Sequence, residues 1–266
     1  MTANCLAQPF EPSELAWPSA TNVYVAPPIP LNGMLLWLKA DAGVYTTNNN
    51  IVAGESNIVW QWTDQSGNTN NSYQVLTNFN GTPYSPEAIF VTNVVNGKPA
   101  IMFFANTSTN SFFTNGTLQT PTTMTVFWVA KLNGANFSPD FGPGYFPGGV
   151  SQGFYAVPGG GSPDIVALVT PSTDEYYNTT LSGWTWNTFV FNGGTNIMRI
   201  NGTTTASFSG SSSLLTTYVG YGLGQYISQG GINTNYFIPE YIEYSGVQSG
   251  TVITQVESYL TNKYGL

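Results

Sequence analysis

From Met34 onward, apolar and polar positions alternate in short runs separated by turn residues, the period-two pattern of strands rather than the recurrence of a helix. The clearest run is TMTVFWVAKL at 123–132, where Met124, Val126, Trp128 and Ala130 share one face and Phe127 and Val129 the other. Apolar residues on both faces predict a central strand in a layered structure. Further strands are predicted for IVWQW, KPAIMFF, DIVALVT, NTFVFNG, LTTYVGYG and NYFIPEYIEY. Asn201-Gly202, between two β-rich runs, suits a type I′ hairpin because both residues tolerate positive φ; a second Asn-Gly stands at Asn96-Gly97. Many short strands with frequent turns predict an all-β sandwich or jelly roll.

The pattern changes after Tyr244. Ser249 is placed to cap a helix over about 249–263, along which Val252, Val256, Tyr259, Leu260 and Lys263 recur at helical spacing; Gly265 is the expected stop. A single amphipathic helix needs a surface to cover, and the preceding strand predicts that it lies across a sheet edge or the open end of the sandwich. At the other terminus, Pro9, Pro12, Pro18, Pro27, Pro28 and Pro30 remove donors and favour extended backbone. Residues 1–30 are therefore expected to form an extended arm, anchored through Leu15, Trp17, Tyr24 and Val25, and residues 31–266 one domain.

Charge narrows the function. Only 7% of the 266 residues are charged, 5 Lys+Arg against 13 Asp+Glu, which argues against a nucleic-acid partner or an anionic membrane surface. With Cys5 alone and no histidine, an intrachain disulfide is excluded, and zinc sites or Ser/Cys-His catalysis lose their usual ligand and base. The N-terminus lacks a basic segment followed by an apolar run, so it does not read as a secretory signal.

The ending IPEYIEYSGVQSGTVITQVESYLTNKYGL resembles, nearly position for position, the closing signature of laminin-G-like, concanavalin A-like jelly-roll domains of bacterial surface proteins and phage structural proteins. The resemblance falls on Ile238, Glu240, Ile242, Tyr244, Ser249, Val256, Glu257, Tyr259, Leu260, Lys263, Tyr264 and Gly265. GMLLWLKADAGV, WQWTDQSGNTNN and NGKPAIMF are similar to the family's opening strand, its Trp-x-Asp-x-Ser-Gly-Asn loop and its Asn-Gly-Lys-Pro strand start. It implies a concanavalin A-like sandwich with a short C-terminal helix, a fold that serves lectins, adhesion modules, enzyme appendages and virion parts alike.

No catalytic constellation stands out. Glu240 and Glu243 are three apart and so face opposite ways on a regular strand, whereas a glycosidase needs two carboxylates across one bond. The protein is expected not to be an enzyme, with Glu240 a buried hydrogen-bond anchor. Asp64, in WTDQSGNTNN, is a turn residue with calcium as its alternative; no other cofactor is indicated. Phe141, Tyr145, Phe146, Tyr221 and Tyr226, set among Gly, Gln and Ser in two apparent loops, are the candidate contact residues for a partner protein or a glycan. The leading expectation is a virion structural protein of a tailed phage, a capsid decoration or tail/fibre component that self-assembles or joins other virion proteins. The alternative is an extracellular or cell-surface adhesion or carbohydrate-binding module.

Overall fold

The computed structural model describes residues 29–46, 51–74, 88–103, 112–119, 121–133, 140–143, 153–157, 164–169, 174–179, 183–209, 219–224 and 235–266. In chain order the strands begin with β1 (Met34–Lys39), β2 (Val44–Tyr45), β3 (Gln61–Trp62), β4 (Ser72–Gln74), β5 (Ile89–Val95), β6 (Lys98–Phe103), β7 (Phe112–Gln119) and β8 (Met124–Asn133). They continue with β9 (Asp140–Pro143), β10 (Gly153–Val157), β11 (Asp164–Val169), β12 (Asp174–Thr179), β13 (Trp184–Phe191), β14 (Thr195–Ile200), β15 (Thr203–Ser209), β16 (Val219–Gly224) and β17 (Asn235–Ser245), before helix α1 (Gly250–Tyr264). All described pairings are antiparallel. The first sheet runs β15-β14-β13-β8-β17-β6-β5 with β1 also on β17; the second runs β12-β11-β10-β9-β16-β7-β4-β3-β2.

The two faces of the first sheet are those the alternation predicts. Met124, Val126, Trp128 and Ala130 of β8 enter the core between the sheets, with Leu36, Leu38, Phe189, Phe191 and Tyr241. Phe127 and Val129 point the other way, into a second cluster with Trp186, Ile242, Tyr244, Val256, Tyr259, Leu260 and Tyr264. The helix thus covers the outer face of the first sheet, not an edge or the open end. The reason lies in β8 and β17: their outward residues are apolar, and only a covering element removes them from water.

The local signals are met as physics requires. Asn201 and Gly202 have φ of 48° and 76°, and Asn96 and Gly97 have 45° and 73°, the left-handed geometry of tight hairpins. The Ser249 hydroxyl accepts from the Val252 amide at 3.3 Å, and Gly265 closes α1 at φ 65° with its amide on the Thr261 carbonyl. Strand β17 changes partner midway: β6 pairs with its first half and β1 with its second. A register shift between Phe237 and Glu240 marks the change, and Pro239 sits there, where a ladder amide is dispensable. The shift also reverses the alternation, so that Ile238 and Tyr241 both enter the core.

Strands β7 and β12, rich in Asn, Thr and Tyr, are absent from the sequence-based reading, because Asn and Asp are depleted in strands and only pairing with flanking strands holds them extended. The proposed anchors Leu15, Trp17, Tyr24 and Val25 lie outside the described residues. Where the chain becomes described, Ile29 packs into the helix-side cluster and the Pro30 carbonyl accepts from the Tyr244 hydroxyl at 2.7 Å.

Candidate functional site

Two groups of motif residues converge to hold the fold. Around Glu240, which is completely buried, Oε1 accepts from Trp37 Nε1 of β1 and from the Tyr259 hydroxyl at 2.9 Å. Its Oε2 accepts from Lys263 Nζ at 2.8 Å and from the Tyr264 hydroxyl at 2.7 Å. Four donors saturate the carboxylate and tie α1 to two strands. Burial, then the Glu240 charge, holds both tyrosine hydroxyls well above their ordinary pKa, so they remain donors. Lys263 also reaches Asp41 at 3.1 Å at the rim.

Asp64 clasps the β3–β4 loop onto β1. Its Oδ1 accepts from the amides of Trp37 at 2.9 Å and Ser66 at 2.8 Å, and its Oδ2 from the Ser66 hydroxyl at 2.7 Å and the Asn70 amide at 3.0 Å. Asn68 and Asn70 donate to the carbonyls of Met34 and Leu35. Because the carboxylate is filled by donors within the chain, chelator or added calcium is expected to leave the melting temperature unchanged. A calcium-dependent rise would reassign Asp64 as a ligand.

Glu240 and Glu243 do lie on opposite faces of β17, Glu240 under the helix and Glu243 in the core between the sheets. Glu243 is completely buried; the Tyr241 hydroxyl donates to its Oε2 across 3.3 Å, and its Oε1 has no partner. Burial pushes this carboxyl up to about 8, against a smaller lowering by Tyr241.

Of the aromatic contact candidates, Phe141 and Tyr221 lie on strands β9 and β16, not in loops. The register aligns Phe141 with Leu223, itself opposite Phe113, and Tyr221 with Pro143 and Asn115. Tyr145, Phe146 and Tyr226 lie outside the described residues.

A different aromatic group is assembled at the end of the second sheet. Across β2, β3 and β4, Val44, Trp62 and Ser72 are register partners and all face inward, buried. The neighbouring row, Tyr45, Gln61 and Tyr73, must therefore face outward, since successive residues of a strand alternate. Tyr45 and Gln61 are half-buried and Tyr73 is 44% exposed. With neighbouring strands about 4.8 Å apart, the tyrosines stand about 10 Å from each other with an amide between them. Exposed Ile51 and Val52 adjoin the row through the pairing of Val52 with Tyr45. No charged side chain lies within the row, so it presents two flat rings and neutral polar atoms. The signal that could have found it is the pairing of VY, QW and SYQ, each with one inward and one outward large residue, but only the register shows that the outward ones align.

No protein-family model matches the sequence, and no curated protein matches it significantly. Among solved structures, domain 4 of AbnA, a GH43 extracellular arabinanase from Geobacillus stearothermophilus, in complex with arabinotriose, is similar with a TM-score of 0.57 and 14% identity over 84% of this chain and 98% of that one. A botulinum neurotoxin type C structure, from work on its cell entry through two ganglioside molecules, is similar with a TM-score of 0.55 and 10% identity over 86% of this chain and 52% of the other. The binding domain of botulinum neurotoxin DC in complex with SialylT gives 0.54 and 10%, over 87% and 52%, so this chain spans about half of the neurotoxin chains it resembles. At these identities the likeness is one of fold: the chain is a jelly-roll-like β-sandwich.

Proposed function

We propose that this protein is a non-catalytic glycan-binding module acting outside the cell or at a cell surface, and that the Tyr45–Gln61–Tyr73 row is its platform. The row is the observation that carries the reading. Aromatic rings stack on the apolar faces of sugars, their hydroxyls and the intervening amide meet the sugar hydroxyls, and the absence of charge suits recognition through rings and hydroxyls rather than through ion pairs. The named neighbours, one in complex with arabinotriose and others binding gangliosides or a sialylated ligand, support the same use of the fold. They do not support the virion role that led the sequence reading, and the carbohydrate-binding alternative takes its place. The non-catalytic character is argued from the carboxylates: Glu240 is saturated by four donors and Glu243 is enclosed on the other face of the strand, so the two cannot flank one glycosidic bond.

A glycan array including arabinan, cellulosic and sialylated oligosaccharides is the direct test. Binding without release of reducing sugar is expected, with Tyr73→Ala weakening it about tenfold or more. Tyr73 is exposed on a paired strand, so the variant should fold. Binding unchanged in Tyr73→Ala would remove the row from the site.

A further inference from the structure

Helix α1 leaves part of the outer face of the first sheet open. Between the helix and β13 lies a cleft of about 330 Å³, lined by Trp186, Thr254, Glu257, Ser258, Thr261 and Asn262. We propose that this cleft is a second saccharide-binding site, on the face of the sandwich opposite the tyrosine row, which makes the domain bivalent.

The floor is fixed before any ligand arrives. Trp186 is 6% exposed, its amide donates to Asn201 Oδ1 at 3.0 Å, and its carbonyl accepts from the Asn201 amide at 2.9 Å. The indole lies so close to Gly202 that a Cβ there would sit 2.8 Å from its six-membered ring, and φ of +76° independently favours glycine. The Asn201-Gly202 hairpin thus holds the ring in place, which reduces the ordering cost of binding.

The helix supplies the polar wall. Thr254, Ser258 and Asn262 recur every fourth residue and are exposed, and Thr261 lies beside them, so hydroxyls and an amide extend over about 12 Å of α1. At the base, the buried Glu257 accepts on Oε1 from the Thr188 hydroxyl at 2.8 Å and Arg199 Nε at 2.7 Å, and on Oε2 from Arg199 Nη2 at 2.9 Å. Its charge is compensated by Arg199, so the cleft does not call for a cation, while Oε2 retains acceptor capacity for a hydroxyl. The margin of a largely buried indole, three hydroxyls, an amide and a paired carboxylate match a polyhydroxylated ring better than a peptide or a lipid, and the volume lies within the range of small-ligand sites.

The inference rests on the glycan reading above. Because the two sites face away from each other across both sheets, one short oligosaccharide cannot occupy both, and the domain can join two glycan chains. The test is titration with arabinotriose, cellotetraose and sialyllactose, followed through tryptophan side-chain N–H signals by NMR and through stoichiometry by calorimetry. The Trp186 signal should move in the wild type and in Tyr73→Ala. Ser258→Phe, which fills the cleft from an exposed helix position, should halve the stoichiometry, abolish the Trp186 response and leave the melting temperature unchanged. A sugar that binds at the tyrosine row without moving Trp186, or a Trp186 response that survives Ser258→Phe in a folded variant, would overturn the cleft and leave the glycan reading standing. No response to any of the three sugars or on the array would overturn both.

Discussion

Replacing Glu240 with alanine is expected to destabilise the domain by about 3–5 kcal/mol, the cost of breaking a buried ion pair by removing one partner. Lys263 would lose its buried counter-charge, the Tyr259 hydroxyl and the indole N–H of Trp37 would be left without their acceptor, and the Tyr264 hydroxyl would keep only the Pro239 carbonyl at 3.4 Å. The loss is concentrated where α1 meets β1 and β17, so the helix should loosen before the sheets do. The measurement is a urea denaturation midpoint at unchanged m-value, with hydrogen exchange along α1 as the local readout. Asp41→Ala removes only the outer partner of Lys263, at 29% side-chain exposure, and should cost no more than about 1 kcal/mol. Equal effects of the two substitutions would mean that the buried carboxylate is not the hub of the helix contact.

Glu243→Gln is expected to make the protein more stable, and increasingly so as the pH rises. The wild-type carboxyl is held at about 8 in the folded state against an ordinary 4.5, because burial disfavours its ionised form. Below the ordinary value both states carry the proton and the shift has no effect. Between about 4.5 and 8 the unfolded chain gives up the proton while the folded chain keeps it, so the folded state loses ground as pH rises; above about 8 the loss is complete. At about 1.4 kcal/mol per unit the total is on the order of several kcal/mol. Glutamine preserves the shape and the contact with Tyr241 but has no proton to release. Denaturation midpoints at pH 5 and pH 9 should therefore converge for the variant and diverge for the wild type; parallel pH profiles would show that Glu243 does not titrate between these values.

Both carboxylates belong to one eleven-residue strand, and what separates them was only half legible in the chain. Period-two alternation places residues three apart on opposite faces, which held from Glu240 to Glu243. The alternation does not hold across Pro239, where the register shift puts Ile238 on the same face as Tyr241. Nor does it say which face is wet: both proved dry, one beneath the helix and one between the sheets.

Elements whose causes are local can be read from the chain alone. The two-faced strand at Met124, the hairpins at Asn96-Gly97 and Asn201-Gly202, the Ser249 cap and the Gly265 stop follow from alternation, positive φ and capping chemistry within a few residues, and so did the class of fold. Folding set everything that depends on pairing between distant segments. It carried α1 onto the sheet face, because the outward side chains of β8 and β17 are apolar. It gathered Trp37, Glu240, Tyr259, Lys263 and Tyr264 into one hub, and by the register of β2, β3 and β4 it aligned Tyr45 and Tyr73 on one exposed row. A strand's pattern specifies two faces but not its neighbours or its offset against them, and a surface site made of one residue from each of several strands exists only once those offsets are set.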